Sequence, residues 1–234
     1  MYKPVFKPMF KGQLNSVPWL TIGLGAIAIA IALLPETVQS ALIFNKATVM
    51  SSTPWQFFSA HLVHGDLQHL FWDVLGLLVV GSMLERMSRT AWLSALAIGL
   101  FVVNSFLVSS FSTIQYYCGL SGLLNTLVFV LFWELWDREK SKTAILLAGL
   151  CLVKIAVEMQ FNEAMLTSIS WPPYPASHLA GFVGALFYVT LHLIKSGRVT
   201  YSPFEPLPFS SSRLAALNPT GCQSWRNEMS RLEP

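Results

Sequence analysis

Charged side chains are scarce in this chain of 234 residues, where they make up 12% of the total against 53% for hydrophobic residues. A soluble domain has about 25% charged residues. Cysteine is also rare: the three cysteines, Cys118, Cys151 and Cys222, have a spacing that fits neither a disulfide framework nor a metal-ligand pattern. The composition therefore excludes an ordinary soluble domain and indicates a protein embedded in a lipid bilayer.

Six apolar segments have the length of membrane-spanning helices, which need about 20 mostly apolar residues. They cover residues 18–34, 66–84, 91–110, 120–136, 143–161 and 176–194. A helix satisfies its backbone hydrogen bonds internally, as the membrane interior requires. The predicted fold is therefore an all-α membrane protein, a bundle of six transmembrane helices.

Basic residues are distributed unequally between the two sides of this predicted bundle. Thirteen of the fifteen Lys and Arg residues lie in the termini or in the turns after the second and fourth segments. The positive-inside rule then places both termini in the cytosol. The net charge of +3 reports this topology and an attraction to anionic lipid, and we expect no nucleic-acid binding.

Three regions follow from this pattern. Residues 1–17 form a basic cytosolic N-terminus, residues 18–195 form the six-span domain, and residues 196–234 form a cytosolic tail rich in Pro and Ser. The tail has the composition of an extended or disordered segment.

The predicted topology brings three polar groups to the same end of the bundle. The second, fourth and sixth helices run inward from the external face, so their N-terminal ends lie together on that side. Ionisable groups inside a membrane are costly and usually functional. The residues are Asp66, His69 and Asp73 in the second segment, Gly119, Ser121 and Gly122 at the start of the fourth, and Ser177 and His178 at the start of the sixth.

The fourth segment opens with a serine between two glycines, Gly119 and Gly122. Backbone N–H groups at a helix N-terminus have no intrahelical partner, and with the helix dipole they can stabilise an oxyanion beside Ser121. The alternative interpretation is a seam of small residues for helix packing, with Ser121 as a capping residue.

The sixth segment places His178, Gly181 and Ala185 on one face of a helix. This face presents an imidazole and then a smooth strip on which the fourth helix can pack. A histidine in the first turn of a helix tends to stay neutral and can accept a proton. The alternative is a histidine that anchors the helix at the membrane interface.

The second segment begins after Gly65, with Asp66 as the predicted N-cap. His69 and Asp73 then follow on one face, deeper in the membrane, where they need partners, which favours a role in an active site. For His61 and His64, which precede the helix, the expected role is structural, with hydrogen bonds to loop carbonyls.

The fifth segment contains Lys154 and Glu158, one helical turn apart. Opposite charges at this spacing are neighbours on the helix surface. We interpret them as a structural ion pair, with the lysine stem extending toward the interface.

Together these residues resemble the motifs of the rhomboid family of intramembrane serine proteases, over about residues 55–190. The family's G-x-S-G is matched by Gly119 to Gly122, its H-x-x-G by His178 to Gly181, its H-x-x-x-x-H-x-x-x-N by His64, His69 and Asp73, and its G-x-x-x-E by Gly81 to Glu85. Each motif is weak alone, but their order along the chain is specific.

The resemblance implies a Ser–His dyad that needs no third acid, no metal ion and no cofactor. Ser121 would be the nucleophile and His178 the general base, while His69, Asp73 and the backbone at Leu120 and Ser121 would form the oxyanion hole. Substrates would be single-span or C-terminally anchored membrane proteins, and the oligomeric state stays open. The implied supporting residues are Gly119, Gly122, His64, Asn125, Gly181 and Glu85.

Three positions depart from the family pattern. Asp73 replaces a neutral Asn, Gln56 replaces an Arg after Trp55, and Asn125 stands where an aromatic ring often stacks on the catalytic histidine. An ionised Asp73 would repel an oxyanion. Either its apolar surroundings keep it protonated, or it orients and charges His69, which then donates alone; we favour the second interpretation.

A compact six-span form also resembles the rhombosortases, bacterial rhomboids that process secreted proteins with a C-terminal Gly-Gly, an apolar helix and a basic tail. This narrower resemblance implies a bacterial inner membrane, with the active site open to the periplasm. The alternative is a catalytically inactive rhomboid-like protein that binds or routes membrane clients, a reading that Asp73 supports. A transporter is disfavoured because the polar residues lie near one face.

Overall fold

The computed structural model describes residues 16–161, 163 and 174–198. Its helices are α1 (Trp19–Ala32), α2 (Glu36–Leu42), α3 (Gln56–Ser59), α4 (Leu67–Met87), α5 (Arg89–Val108), α6 (Ser121–Glu139), α7 (Lys142–Phe161) and α8 (Pro175–Lys195). A π-helical turn, Leu77–Gly81, interrupts α4, and a 3-10 turn, Ala60–Leu62, precedes it. Two short strands are also present, β1 (Phe44–Asn45) and β2 (Tyr116–Tyr117).

The six predicted apolar segments correspond to α1, α4, α5, α6, α7 and α8. Four of these, α4, α5, α7 and α8, are long and apolar enough to cross a membrane. Helix α1 is apolar but has 14 residues, and α6 has 19 residues with a charged C-terminal end. The predicted helical membrane fold is confirmed, whereas the count of six spans and the orientation stay predictions.

Helix α6 lies at the centre of the bundle and packs against α4, α5, α7 and α8. Its buried residues, which include Leu123, Phe129 and Leu131, lie on different faces of the helix because neighbours pack on several sides. The helix ends at Glu139, because the next residue, Lys140, has a left-handed φ of 52° and cannot continue an α-helix.

Helices α6 and α8 approach each other closely through two glycines. A Cβ added to Gly181 would lie 2.1 Å from the carbonyl oxygen of Gly122, so no larger residue fits there without moving the backbone. One turn further, Thr126 Oγ1 donates a hydrogen bond of 2.8 Å to the Gly181 carbonyl oxygen. The predicted packing strip on α8 is confirmed, and it keeps the first turns of the two helices side by side.

The segment before α6 is held by the loops around it. Strands β1 and β2 pair antiparallel, with Phe44 opposite Tyr117. The Gly119 amide donates to the Ala60 carbonyl oxygen over 3.0 Å. The start of α6 therefore has a defined position relative to the start of α4.

At the opposite end of the bundle, buried carboxylates bind backbone and side-chain donors. Glu85 accepts the amide hydrogens of Leu20 and Thr21 at 3.1 and 2.8 Å, which satisfies free donors in the first turn of α1. With a rise of about 1.5 Å per residue, Glu85 lies roughly 18 Å along α4 from Asp73. Its supporting role is thus in helix assembly.

Candidate functional site

The site begins at the N-terminus of α6, where Ser121 is the first helical residue. Two residues earlier, Gly119 has φ +115°, a conformation that L side chains rarely adopt. A Cβ there would also lie 2.7 Å from Nε2 of His69. Glycine at 119 therefore allows both the turn into α6 and the close approach of α4.

Three nitrogen atoms surround one carboxylate oxygen of Asp73. Oδ2 accepts the Leu120 amide hydrogen at 2.8 Å, lies 3.2 Å from Nε2 of His64, and lies 3.4 Å from Nε2 of His69. Both histidines and the aspartate are buried. An ionised carboxylate accepts hydrogen bonds and cannot donate them. This arrangement therefore suits a charged Asp73 with N–H donors around it.

The prediction that His64 binds a loop carbonyl is wrong for its Nε2, because this atom faces the Asp73 carboxylate instead. The Asp66 cap is confirmed, since its Oδ1 accepts the His69 amide hydrogen at 2.7 Å. This cap fixes the first turn of α4 and thereby the direction of the His69 side chain. His64 thus joins the same cluster from the segment before α4.

The same cluster offers ligand atoms for a metal ion. One atom each of His64, His69 and Asp73 lie within 4.8 Å of one another, and imidazole with carboxylate is a common donor set for zinc. Nδ1 of both histidines is buried with no partner among the described residues, whereas metal-bound histidines almost always donate from the second nitrogen. The absence of a metal requirement stays a prediction.

His178 lies in the first turn of α8, beside the start of α6. A Cβ on Gly122 would be 3.3 Å from the Ser177 carbonyl oxygen. Ser121 directly precedes one residue of this contact, and His178 directly follows the other. The hydrogen bonds among the described residues do not include one between Ser121 Oγ and the His178 ring. Catalytic hydrogen bonds are often long in the absence of substrate.

Glu158 on α7 is the neighbour of His178 that sequence reasoning missed. Its Oε2 lies 3.0 Å from His178 Nδ1, and its Oε1 lies 2.5 Å from Lys154 Nζ. The predicted ion pair is confirmed. Because Lys154 was a sufficient partner for the charge of Glu158, nothing in the sequence indicated His178 as a second partner. Asn125, the position expected to bear on how His178 is held, donates instead to the Ser121 carbonyl oxygen at 2.9 Å.

A second layer lies outside the cluster, around His61. Its Nε2 is 3.3 Å from Asn104 Oδ1, and the ring packs edge-on against Tyr117 at 5.5 Å between centroids. The Tyr117 hydroxyl donates to the Gly119 carbonyl oxygen at 3.1 Å.

Burial raises the pKa of the Cys118 thiol to about 12, so this cysteine stays a protonated thiol at neutral pH.

We expect His61 to make the protein less stable at acidic pH. Burial lowers the pKa of His61 to about 4, and the hydrogen bond with Asn104 opposes this in part. The unfolded chain binds that proton at about pH 6.5. A depressed native pKa means that stability is complete above pH 6.5 and falls as the pH drops toward 4, by up to about 3 kcal/mol.

Thermal unfolding of the detergent-solubilised protein at pH 7 and pH 4.5 checks this expectation. The Tm of His61→Gln should fall less between the two pH values than the Tm of the wild type. His192→Gln is the control, because that partly exposed histidine lies at the other end of α8. An equal drop in wild type and His61→Gln would contradict the prediction.

The fold and the site define an integral membrane protein of packed apolar helices, with a serine at one helix N-terminus and a histidine on the helix beside it. A family model described as the rhomboid domain matches residues 51–195, more than half of the chain. The chain therefore belongs to the rhomboid family, a family of intramembrane proteases. A comparison with curated proteins gives no match.

Proposed function

We propose that this protein is an intramembrane serine endopeptidase that uses Ser121 as nucleophile and His178 as general base. The observation that carries the proposal is the contact between the first turns of α6 and α8, where Gly122 meets the Ser177 carbonyl. Ser121 and His178 adjoin this contact on neighbouring helices. Membership of the rhomboid family supports the same reaction class.

The reaction begins when Ser121 Oγ attacks the carbonyl carbon of the scissile peptide bond. His178 Nε2 accepts the hydroxyl proton, because its Nδ1 is engaged with Glu158. The tetrahedral intermediate then collapses as His178 returns the proton to the leaving amine, and an acyl-enzyme is formed. Water, activated by the same histidine, releases the second product and restores Ser121.

The oxyanion would be bound by the Ser121 amide at the helix N-terminus and by His69. The Leu120 amide donates to Asp73 Oδ2, so an oxyanion would compete with the carboxylate for this donor. Asp73 supports His69 as the principal side-chain donor, because its Oδ2 lies 3.4 Å from His69 Nε2 and orients the ring. This is the second of the two interpretations of Asp73.

Substrate and membrane topology belong to the same proposal. Six spans with both termini in the cytosol place Ser121 and His178 near the external face, where a single-span or C-terminally anchored membrane protein is cut in or near its transmembrane segment. Among the four helices that are long and apolar enough to cross a membrane, α7 is the least buried, with 17% of its most apolar stretch enclosed in the bundle. This weak packing supports entry of a substrate helix from the lipid near α7.

The rhombosortase branch, in the bacterial inner membrane with a periplasmic active site, is the narrower form of the proposal. The described residues form a compact helical unit, which supports it. Co-expression with a substrate that ends in Gly-Gly, an apolar helix and a basic tail tests the branch. An uncut substrate would exclude it without affecting the proposed protease.

An active-site-directed fluorophosphonate probe tests the proposed nucleophile. The probe should label the folded wild type and should fail to label Ser121→Ala or the heat-denatured protein, because only an activated serine reacts. Labelling is measured by in-gel fluorescence of the purified full-length protein. Equal labelling of wild type and Ser121→Ala would contradict the proposal, and a folded wild type that neither reacts nor cleaves would favour the inactive client-binding alternative.

A further inference from the structure

Glu158 is oriented in a way that an ion pair with Lys154 alone does not require. Its side chain is 1% exposed, whereas the Lys154 side chain is 39% exposed. On a weakly packed helix the pair could lie entirely on the outer surface. Instead the carboxylate faces the bundle and uses its second oxygen for His178 Nδ1, 3.0 Å away.

We propose that Glu158 is a positioning residue for His178, so that the protein operates with a Ser–His–Glu arrangement assembled from α6, α8 and α7. This inference rests on the proposed function and goes beyond the Ser–His dyad of the family pattern. The acid comes from a helix that the G-x-S-G and H-x-x-G motifs do not touch.

The carboxylate acts on the tautomer and the charge of the imidazole. By accepting the Nδ1 hydrogen, Glu158 leaves the Nε2 lone pair free to take the proton of Ser121 Oγ. When His178 becomes an imidazolium, the adjacent carboxylate stabilises the positive charge until the proton passes to the leaving amine. Glu158 is not itself protonated in this cycle.

Lys154 reduces the free-energy cost of burying a charged carboxylate at this position. An isolated charge in a low-dielectric interior is costly unless it is paired and hydrogen-bonded. Glu158 has an ammonium on one oxygen and an imidazole on the other. Other titratable groups of the site among the described residues include His64, His69 and Asp73 on the α4 side and Tyr117 and Cys118 before α6.

The test compares Glu158→Gln and Glu158→Asp with the wild type, as purified full-length proteins acting on a single-span reporter. For Glu158→Gln we expect kcat to fall about 100-fold with KM within about threefold, a loss smaller than that of an amide substitution in a serine-protease triad. The acidic limb of the kcat profile should move to lower pH, because the imidazolium has lost its carboxylate partner. Glu158→Asp should recover part of kcat.

Glu134→Gln is the matched control. Glu134 is also a buried carboxylate, and it binds Arg138 and the Tyr188 hydroxyl at 2.7 and 2.8 Å, but it lies at the far end of α6. Its loss should lower Tm and leave the acidic limb of the profile unmoved. A Glu158→Gln enzyme with the same outcome would overturn the positioning role.

Nitrogen-15 NMR of the five histidines adds a readout that needs no turnover. In a Ser121→Ala background His178 should carry its proton on Nδ1, and this signal should move in Glu158→Gln. A His178 protonated on Nε2 with Glu158 present would refute the inference. If the wild type cleaves and Ser121→Ala does not, but Glu158→Gln cleaves like the wild type, only the positioning role of Glu158 is refuted. If the wild type has no protease activity, both the proposed function and the positioning role are refuted.

Discussion

Replacement of Ser121 by alanine should reduce cleavage of a single-span reporter by about 10⁴-fold or more. A nucleophile and its base act as a unit, so losing the hydroxyl removes the covalent route entirely. The fold should survive, because alanine is a good helix former and Ser121 is the first residue of α6. Quantitative immunoblotting of substrate and product in reconstituted liposomes measures the loss.

Ser40→Ala provides a control for this experiment. The Ser40 hydroxyl is exposed and donates to the Thr37 carbonyl oxygen within α2, so its removal should leave the rate unchanged. Cleavage by Ser121→Ala at the wild-type rate would refute the assignment of the nucleophile.

Asp73→Ala should lower kcat by about tenfold or more, the scale of a lost oxyanion contact. The substitution removes the oxygen that accepts the Leu120 amide and lies 3.4 Å from His69 Nε2. His69 then loses its orientation and its charge partner. The Leu120 amide is then free to donate to the oxyanion. This offsets the loss of activity only in part, because without its acceptor this single backbone donor is no longer held in place.

Asp73→Asn should keep substantial activity, since the amide oxygen can still accept the Leu120 hydrogen while the amide nitrogen becomes a neutral donor. Parallel kcat measurements on both variants check this order. Asp137→Ala serves as the comparison, because Asp137 pairs with Lys140 and Arg198 at the far end of α6. Full activity in Asp73→Ala would remove Asp73 from the site.

The helices and several local contacts could be predicted from the sequence because short-range patterns govern them. Hydropathy located all six helical segments, and capping chemistry located Asp66 at the start of α4. The glycine spacing identified the face of α8 that meets α6, and the spacing of Lys154 and Glu158 predicted their ion pair. These features depend on neighbours within about one turn of the chain.

Other features could not be predicted because they join helices that the chain does not bring together locally. The Asp73 bond to the Leu120 amide spans 47 positions, and no periodicity relates the two residues. His64 was expected to bind a carbonyl, since its position before α4 gave no sign that the Asp73 carboxylate would lie in reach.

The sequence by itself determined a helical membrane protein with Ser121 and His178 at the same end of neighbouring helices, and it determined the rhomboid family by the order of its motifs. Only the tertiary structure decided what surrounds the two residues. Glu158 reaches His178 because α7 packs beside α8, and that contact depends on the rotation of α7 about its own axis. Packing against neighbouring helices sets this rotation, and no single segment of the sequence contains it.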